Sequence, residues 1–128
     1  MQSCALFDTN IVIDALKGID AANKEYQRYE TVYISLISWI EVMVGTNNFD
    51  ELMTRDFLQQ HFIVLPITLP IAELAVKIRQ QRRIKLPDAL IQSTAQIYNT
   101  ILVTRNSKDF PETEPNIRIP YQMLKSLP

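Results

Sequence analysis

Cys4-Ala5-Leu6-Phe7-Asp8-Thr9-Asn10 opens the chain with a short apolar run that stops on a carboxylate, and an amphipathic pattern begins at Ile11. An uninterrupted apolar run reads as a strand buried on both faces, the habit of parallel sheets covered by helices. An acid at its carboxyl end stands where open α/β sheets place their sites. The remainder alternates in kind: Val32-Tyr33-Ile34, Phe62-Ile63-Val64-Leu65, Ile101-Leu102-Val103 and Ile117-Arg118-Ile119 read as further strands. Helical patterns fall between them, over residues 11–17, 21–30, 49–61 and 71–83, from Ser35 or Ser38 to Gly45, and from Pro87 to Tyr98. Ser35 or Ser38 serves as an N-cap, Gly18 and Gly45 as residues just past a helix end, and Pro87 as a first-turn residue. Strands alternating with helices predict an α/β domain with a parallel sheet and helices on both faces.

Composition bounds the function classes. With 128 residues, 47% hydrophobic and 21% charged, the chain fits one globular domain over 1–128 rather than a disordered one. Thirteen Lys and Arg against fourteen Asp and Glu give a net charge of −1, so no global basic field draws in a polyanion. Nucleic-acid binding would have to rest on local cations or on metal. The single Cys4 lies in an apolar run, which excludes a disulfide framework and fits a reducing cytosol. Met1-Gln2-Ser3 brings no basic leader, and no stretch approaches the ~18 apolar residues of a membrane span, so the expectation is a cytoplasmic protein with no membrane partner.

Four acids call for an account. Asp8 can simply cap a helix, or it can be an acid fixed at the sheet edge, with Thr9 and Asn10 as small polar neighbours. Glu41 lies beside Ile37 and Val44 on an apolar stripe that includes Ile40, which points it inward. A buried carboxylate must be ion-paired, protonated or bound to a cation. Asp88 follows Pro87, where the helix dipole alone favours an acid, yet it shares a face with Ile91 and Ala95 and so aims toward the sheet. Asp109 sits in Thr104-Arg105-Asn106-Ser107-Lys108-Asp109-Phe110, directly after a strand; this is either a plain Asx turn or a site loop in which Thr104 and Asn106 offer neutral oxygens. Arg79, Arg82, Arg83 and Lys85 precede Asp88 and either touch phosphates or form a solvated helix end. His61 has no Cys or second His nearby and is not read as a zinc ligand, while Trp39 and the five Tyr read as packing.

Taken together, these segments resemble the PIN-domain family of metal-dependent ribonucleases, and within it the bacterial toxins of the VapC type. Four matched stretches occur in family order: the strand into Asp8-Thr9-Asn10; Ser35-x-x-Ser38-x-x-Glu41 closed by Gly45; Leu86-Pro87-Asp88-Ala89 with Ile91; and Leu102-Val103-Thr104-Arg105-Asn106 with Asp109-Phe110. The resemblance implies a three-layer α/β/α fold around a five-stranded parallel sheet. It implies that Asp8, Glu41 and Asp88 surround Mg²⁺ or Mn²⁺, that Asn106, Asp109 or both close a fourth corner over one metal or two, and that Asn10 and Thr104 orient waters. Many relatives carry an acid where this chain has Asn106. Arg105, Lys108 and Lys85 would position phosphate. The implied activity is hydrolysis of RNA to 5′-phosphate and 3′-hydroxyl ends; the implied partners are RNA, a small antitoxin protein and a second copy in a homodimer. The alternative is a catalytically degraded PIN-fold module that binds RNA or protein. A receiver domain would need an acid after the third strand, where Pro66-Ile67-Thr68 stands, and a haloacid-dehalogenase-like phosphatase would need one in place of Asn10.

Overall fold

β1 (Cys4–Phe7) is the central strand of a five-stranded, wholly parallel sheet of order β3-β2-β1-β4-β5. The computed structural model describes residues 3–123; Met1, Gln2 and residues 124–128, the two ends of the expected domain, lie outside them. After β1 come α1 (Thr9–Leu16), α2 (Asp20–Tyr26), β2 (Thr31–Ser35), α3 (Leu36–Val44), α4 (Glu51–His61), β3 (Ile63–Leu65), α5 (Leu69–Gln81), α6 (Leu86–Ile97), β4 (Ile101–Val103) and β5 (Ile117–Arg118).

Alternation along each strand divides the core between two faces. Ala5, Phe7, Val32, Ile34 and Val103 pack with Ile11, Val12 and Ala15 of α1, Ala22 of α2, Val42 of α3 and Leu58 of α4. Leu6, Leu65 and Leu102 point the other way, onto Ile71, Ala75 and Ile78 of α5 and Ala89, Leu90, Ile91 and Ala95 of α6. The expected three layers are therefore present. α3 departs from a strictly layered plan: it touches both α1 and α6, and while Val42 joins the first core, Ile37 joins the second.

The chain winds outward from β1 through β2 to β3, then crosses back to lay β4 on the other side of β1. The switch in winding direction falls between β1 and β4, the place where open sheets of this kind form a crevice at the carboxyl ends of their strands. Backbone pairing runs to the lip of that crevice: the Asp8 N–H donates to Val103 O at 2.9 Å, and the Thr104 N–H donates to Arg118 O at 3.0 Å. Asp8 and Thr104 are thus placed by the sheet itself.

The element boundaries move in instructive ways. α1 starts at Thr9, two residues before the apolar pattern, because Asp8 adopts the extended cap conformation and accepts from the Thr9 N–H. Ser35, and not Ser38, is the cap of α3, its Oγ accepting from the Ile37 N–H, while Ser38 is buried within the helix. Gly18 has φ +79 and occupies the left-handed position expected of it, whereas Gly45 has φ −78 and continues the right-handed turn, so it is not the left-handed helix stop its identity suggested. An added methyl at Gly18 meets nothing within 4 Å, so Gly18→Ala isolates the backbone cost and should destabilise the fold by about 1 kcal/mol. Gly45→Ala should change stability by less than about 0.5 kcal/mol. Denaturant unfolding of the two variants checks the contrast.

Candidate active site

The crevice receives its acids from four separate elements. Asp8 caps α1 at the end of β1, Glu41 lies on the last turn but one of α3, Asp88 on the first turn of α6, and Asp109 in the loop between β4 and β5. Asp8 is 3% exposed, Asp88 and Asp109 are half-buried and Glu41 is exposed. Among the described residues none of the four carboxylates is ion-paired.

Neutral donors hold Asp8. Its Oδ1 accepts from the Thr9 N–H at 2.7 Å, and its Oδ2 accepts from Thr104 Oγ1 at 2.7 Å and Asn10 Nδ2 at 3.3 Å. Burial outweighs these donors and, with Asp88 and Glu41 adding their negative charge, pushes the Asp8 carboxyl from 3.8 up to about 6. Asp88 is raised in the same direction by burial first, then by Asp109 and Glu41, with Lys85 and Arg82 acting against the rise. Asp8 thus feels Asp88 and Glu41, and Asp88 feels Asp109 and Glu41.

A second chain of hydroxyls reaches Glu41. Thr9 Oγ1 stands 2.7 Å from Glu41 Oε1 and 2.8 Å from Ser38 Oγ. A carboxylate only accepts, so Thr9 donates to Glu41 and receives from Ser38. Thr104 likewise accepts from the Asn106 N–H at 2.9 Å while donating to Asp8. Asn106 grips Asp109 from both sides, Nδ2 donating to Oδ2 at 3.0 Å and Oδ1 accepting the Asp109 N–H at 3.2 Å. Asn10 Oδ1 accepts the Arg105 N–H at 3.2 Å, tying α1 to this loop.

Three expectations need correction. Glu41 is not buried on its stripe: α3 buries Ser38 and Val42, and Ile40, Glu41 and Val44 lie on its open side. It reaches the site through Thr9 instead of through burial. Second, Asp8, Glu41, Asp88 and Asp109 do not converge into one cage; among the described residues no three His, Cys, Asp or Glu side chains stand close enough to hold an ion together. Third, Arg105 does not reach into the crevice as a free phosphate ligand, because its guanidinium forks onto Asp14 at 2.7 and 3.2 Å. Lys85 and Lys108 stay exposed at the rim.

Sequence reading passed over Asp14, buried in α1 between Ile11 and Ala15 and bound by Arg105 and by the Tyr121 hydroxyl at 2.8 Å. It also passed over Glu25, buried in α2 and held by Arg118 at 2.6 and 2.9 Å and by the Tyr29 hydroxyl at 2.6 Å. Burial drives the Glu25 carboxyl up, but Arg118 and Tyr29 together bring it below its usual range, and the same contact with burial pushes the Tyr29 hydroxyl up to about 12. For Asp14 the available signal was an acid inside the apolar run Ile11-Val12-Ile13-Asp14-Ala15-Leu16, whereas Glu25 stands in a polar run that reads as exposed. His61 packs edge and face among Tyr26, Phe57 and Phe62.

The donor set fits a hard divalent ion. All four acids offer oxygen, lack cationic partners and face one crevice, and Mg²⁺ takes one or two carboxylates directly while keeping several waters, so a tight cage is not required. Burial without a counterion has a measurable consequence. Because the folded state raises the Asp8 pKa, it binds the proton more tightly than the unfolded chain does, so stability falls as pH rises from about 4 to about 6. Above that range the penalty reaches on the order of 3 kcal/mol. In chelator, Asp8→Asn should therefore be more stable than the wild type at pH 7, by up to about 3 kcal/mol, and the gap should close near pH 4. Urea unfolding at both pH values decides it, and a wild type that is the more stable at pH 7 refutes the burial penalty.

Comparison with known proteins agrees with this geometry. The family model described as PIN domain matches residues 5–114. Ribonuclease VapC of Rickettsia bellii is 29% identical over 124 residues, covering 85% of this chain and 92% of the relative. A solved toxin-antitoxin complex from Klebsiella pneumoniae contains a chain that is 40% identical, with a TM-score of 0.84 and coverage of 93% of this chain and 99% of its own. VapBC-1 from nontypeable Haemophilus influenzae matches at 25% identity and a TM-score of 0.67, over 84% of this chain and 90% of its own. A family model spanning almost the whole sheet, and the acids at its carboxyl edge with it, establishes that this chain belongs to the PIN domain family.

Proposed function

We propose that this protein is an endoribonuclease dependent on Mg²⁺ or Mn²⁺ and the toxin half of a toxin-antitoxin pair. The observation that carries the reading is the carboxyl edge of the sheet between β1 and β4, where Asp8 is buried with no cationic partner among the described residues, Asp88 and Glu41 act on its charge, and Asp109 acts on that of Asp88. The names of the relatives support it, since one is a ribonuclease and another a toxin-antitoxin complex.

When bound, a divalent ion supplies charge neutralisation on the scissile phosphodiester and makes water easier to deprotonate. Asp8, Asp88 and Asp109 are the residues proposed to hold it, one or two of them directly and the rest through its waters, with Glu41 lining the same edge. Thr104 and Asn10 fix the rotamer of Asp8, and Thr9, backed by Ser38, fixes that of Glu41. Asn106, the position at which many relatives carry an acid, braces Asp109, and the fourth corner is assigned to Asp109 on that ground. Lys85 and Lys108 at the rim are the cations proposed to meet RNA phosphates, a task Arg105 is too firmly paired to share. No helix among the described residues is long and apolar enough to cross a membrane, and the proposed place of action is the cytoplasm.

Exposed apolar side chains support protein partners. Ile40 and Val44 of α3, Phe49 before α4, and Leu52 and Met53 of α4 all face outward, Phe49 at 97% exposure. Leu69, Val76 and Leu86 do so on α5 and α6. Soluble monomers rarely carry such concentrations. A small antitoxin and a second copy of the chain are the proposed occupants.

Purified protein should cleave single-stranded RNA with Mg²⁺ or Mn²⁺ and stop in chelator. Asp8→Asn should lose at least about 100-fold in kcat while remaining folded. A folded Asp8→Asn that retains full activity removes the mechanism. Arg105→Ala separates the roles of the cations: it should lower stability by about 3 kcal/mol, since it leaves Asp14 buried and unpaired. Lys108→Ala should instead raise KM and flatten the salt dependence of RNA binding by about 0.7 in log-log slope.

A further inference from the structure

We propose that Arg82 is a positioning residue that sets the spacing between Asp88 and Asp109 by bridging α6 to the backbone of the Asp109 loop. The inference rests on the metal-dependent reading of the crevice, and it concerns a residue that touches none of the reacting groups.

Arg82 caps the C-terminus of α5 in extended conformation, which turns its side chain out of the helix and across the start of α6. One guanidinium nitrogen, NH1, donates to Gln92 Oε1 at 3.1 Å, and NH2 donates to the carbonyl oxygen of Asp109. Gln92 lies four residues beyond Asp88, one turn along the same face of α6. A single rigid fork therefore joins the helix that carries Asp88 to the peptide that carries Asp109. The planar guanidinium fixes both ends at once, which a lysine ammonium on its flexible stem does not do.

The two acids need such a brace. Their like charges repel, and the Arg82 guanidinium links the two elements that carry them. Phe110 packs into the core that α6 shares, and Asn106 orients the Asp109 side chain, but among the described residues the hydrogen-bonded link between Asp109 and α6 is the Arg82 fork. Beside the guanidinium lies a cavity of about 200 Å³, bordered also by Gln92, Gln96, Pro111 and Asn116, so packing does not brace the loop on that side. Partners that orient ligands commonly govern affinity and rate without meeting metal or substrate.

The test uses Arg82→Lys, which keeps the charge but loses the fork, and Gln92→Leu, which keeps Arg82 but removes its α6 anchor. Isothermal titration of Mn²⁺ into each protein and steady-state cleavage of a single-stranded RNA are the two readouts. The bridge predicts about tenfold weaker Mn²⁺ binding and a similar fall in kcat in both variants, with KM within about twofold of wild type. It also predicts that the double variant is no worse than the worse single one, because both remove the same link. Unchanged Mn²⁺ affinity in the folded variants overturns the proposal. So does a rise in KM with a shallower salt dependence and intact kcat, which would make Arg82 a phosphate contact. A loss of metal-free stability with an unaltered Mn²⁺ affinity reduces it to a structural residue and likewise overturns it. Should Arg82→Lys fail to fold, Gln92→Leu decides on the same readouts. A wild type that binds Mn²⁺ but leaves RNA intact sinks the nuclease reading alone, whereas one that ignores Mn²⁺ sinks both.

Discussion

The constraint on which the rest of the molecule turns is a carboxylate drawn out of water at the end of the central strand with nothing but neutral donors to receive it. Pairing of β1 with β4 continues through the Asp8 N–H, so the position of Asp8 follows from the sheet and is not free to relax outward. Thr104, Thr9 and Asn10 satisfy its oxygens yet do not compensate the loss of hydration, and Asp88 and Glu41 worsen its situation. A fold that retains such a group is held together elsewhere, by the two cores on either side of the sheet. Local instability concentrated at a functional crevice is the usual arrangement in enzymes, where stability and activity draw on the same residues.

Where the chain commits its arginines explains why the crevice stays negative. Arg105 is committed to Asp14 and Arg118 to Glu25, both acids buried under the first four helices. Through these pairs the segments after β4 and at β5 are fastened to α1 and α2, which follow β1 almost a hundred residues earlier. Arg82, the remaining guanidinium near the acids, spends its hydrogen bonds on an amide and a carbonyl. Fixed cations thus serve the frame, and the acids at the carboxyl edge of the sheet keep their negative charge.

How much of this was legible in the sequence depends on whether local pattern or tertiary context decides a residue's surroundings. Strands such as Ala5-Leu6-Phe7 and Leu102-Val103 are buried on both faces, so their apolar runs announce them, and the order of acids after strands or at helix starts then points to one edge of the sheet. Glu41 shows the limit. Its apolar neighbours Ile40 and Val44 suggested a core-facing stripe, but α3 spans two layers and leaves that side open, so periodicity alone chose the wrong face. The same reasoning would have been right for Asp14, whose neighbours Ile11 and Ala15 are buried, and it would have called for a cationic partner ninety-one residues away. Nothing local in Thr104-Arg105-Asn106 reveals that Arg105 turns back toward α1 while Asn106 turns toward Asp109. Those choices belong to contacts made only once the sheet has closed.

The outermost strands are brief: β3 has three residues and β5 has two. An incoming polypeptide seeking to extend the ladder finds scarcely enough free peptide groups on either rim to register against, which guards the molecule from edge-to-edge polymerisation. Recognition by β-augmentation is correspondingly disfavoured. The apolar side chains that the molecule does expose stand mostly on its helices, so its sticky surface offers side-chain shape rather than main-chain hydrogen bonds.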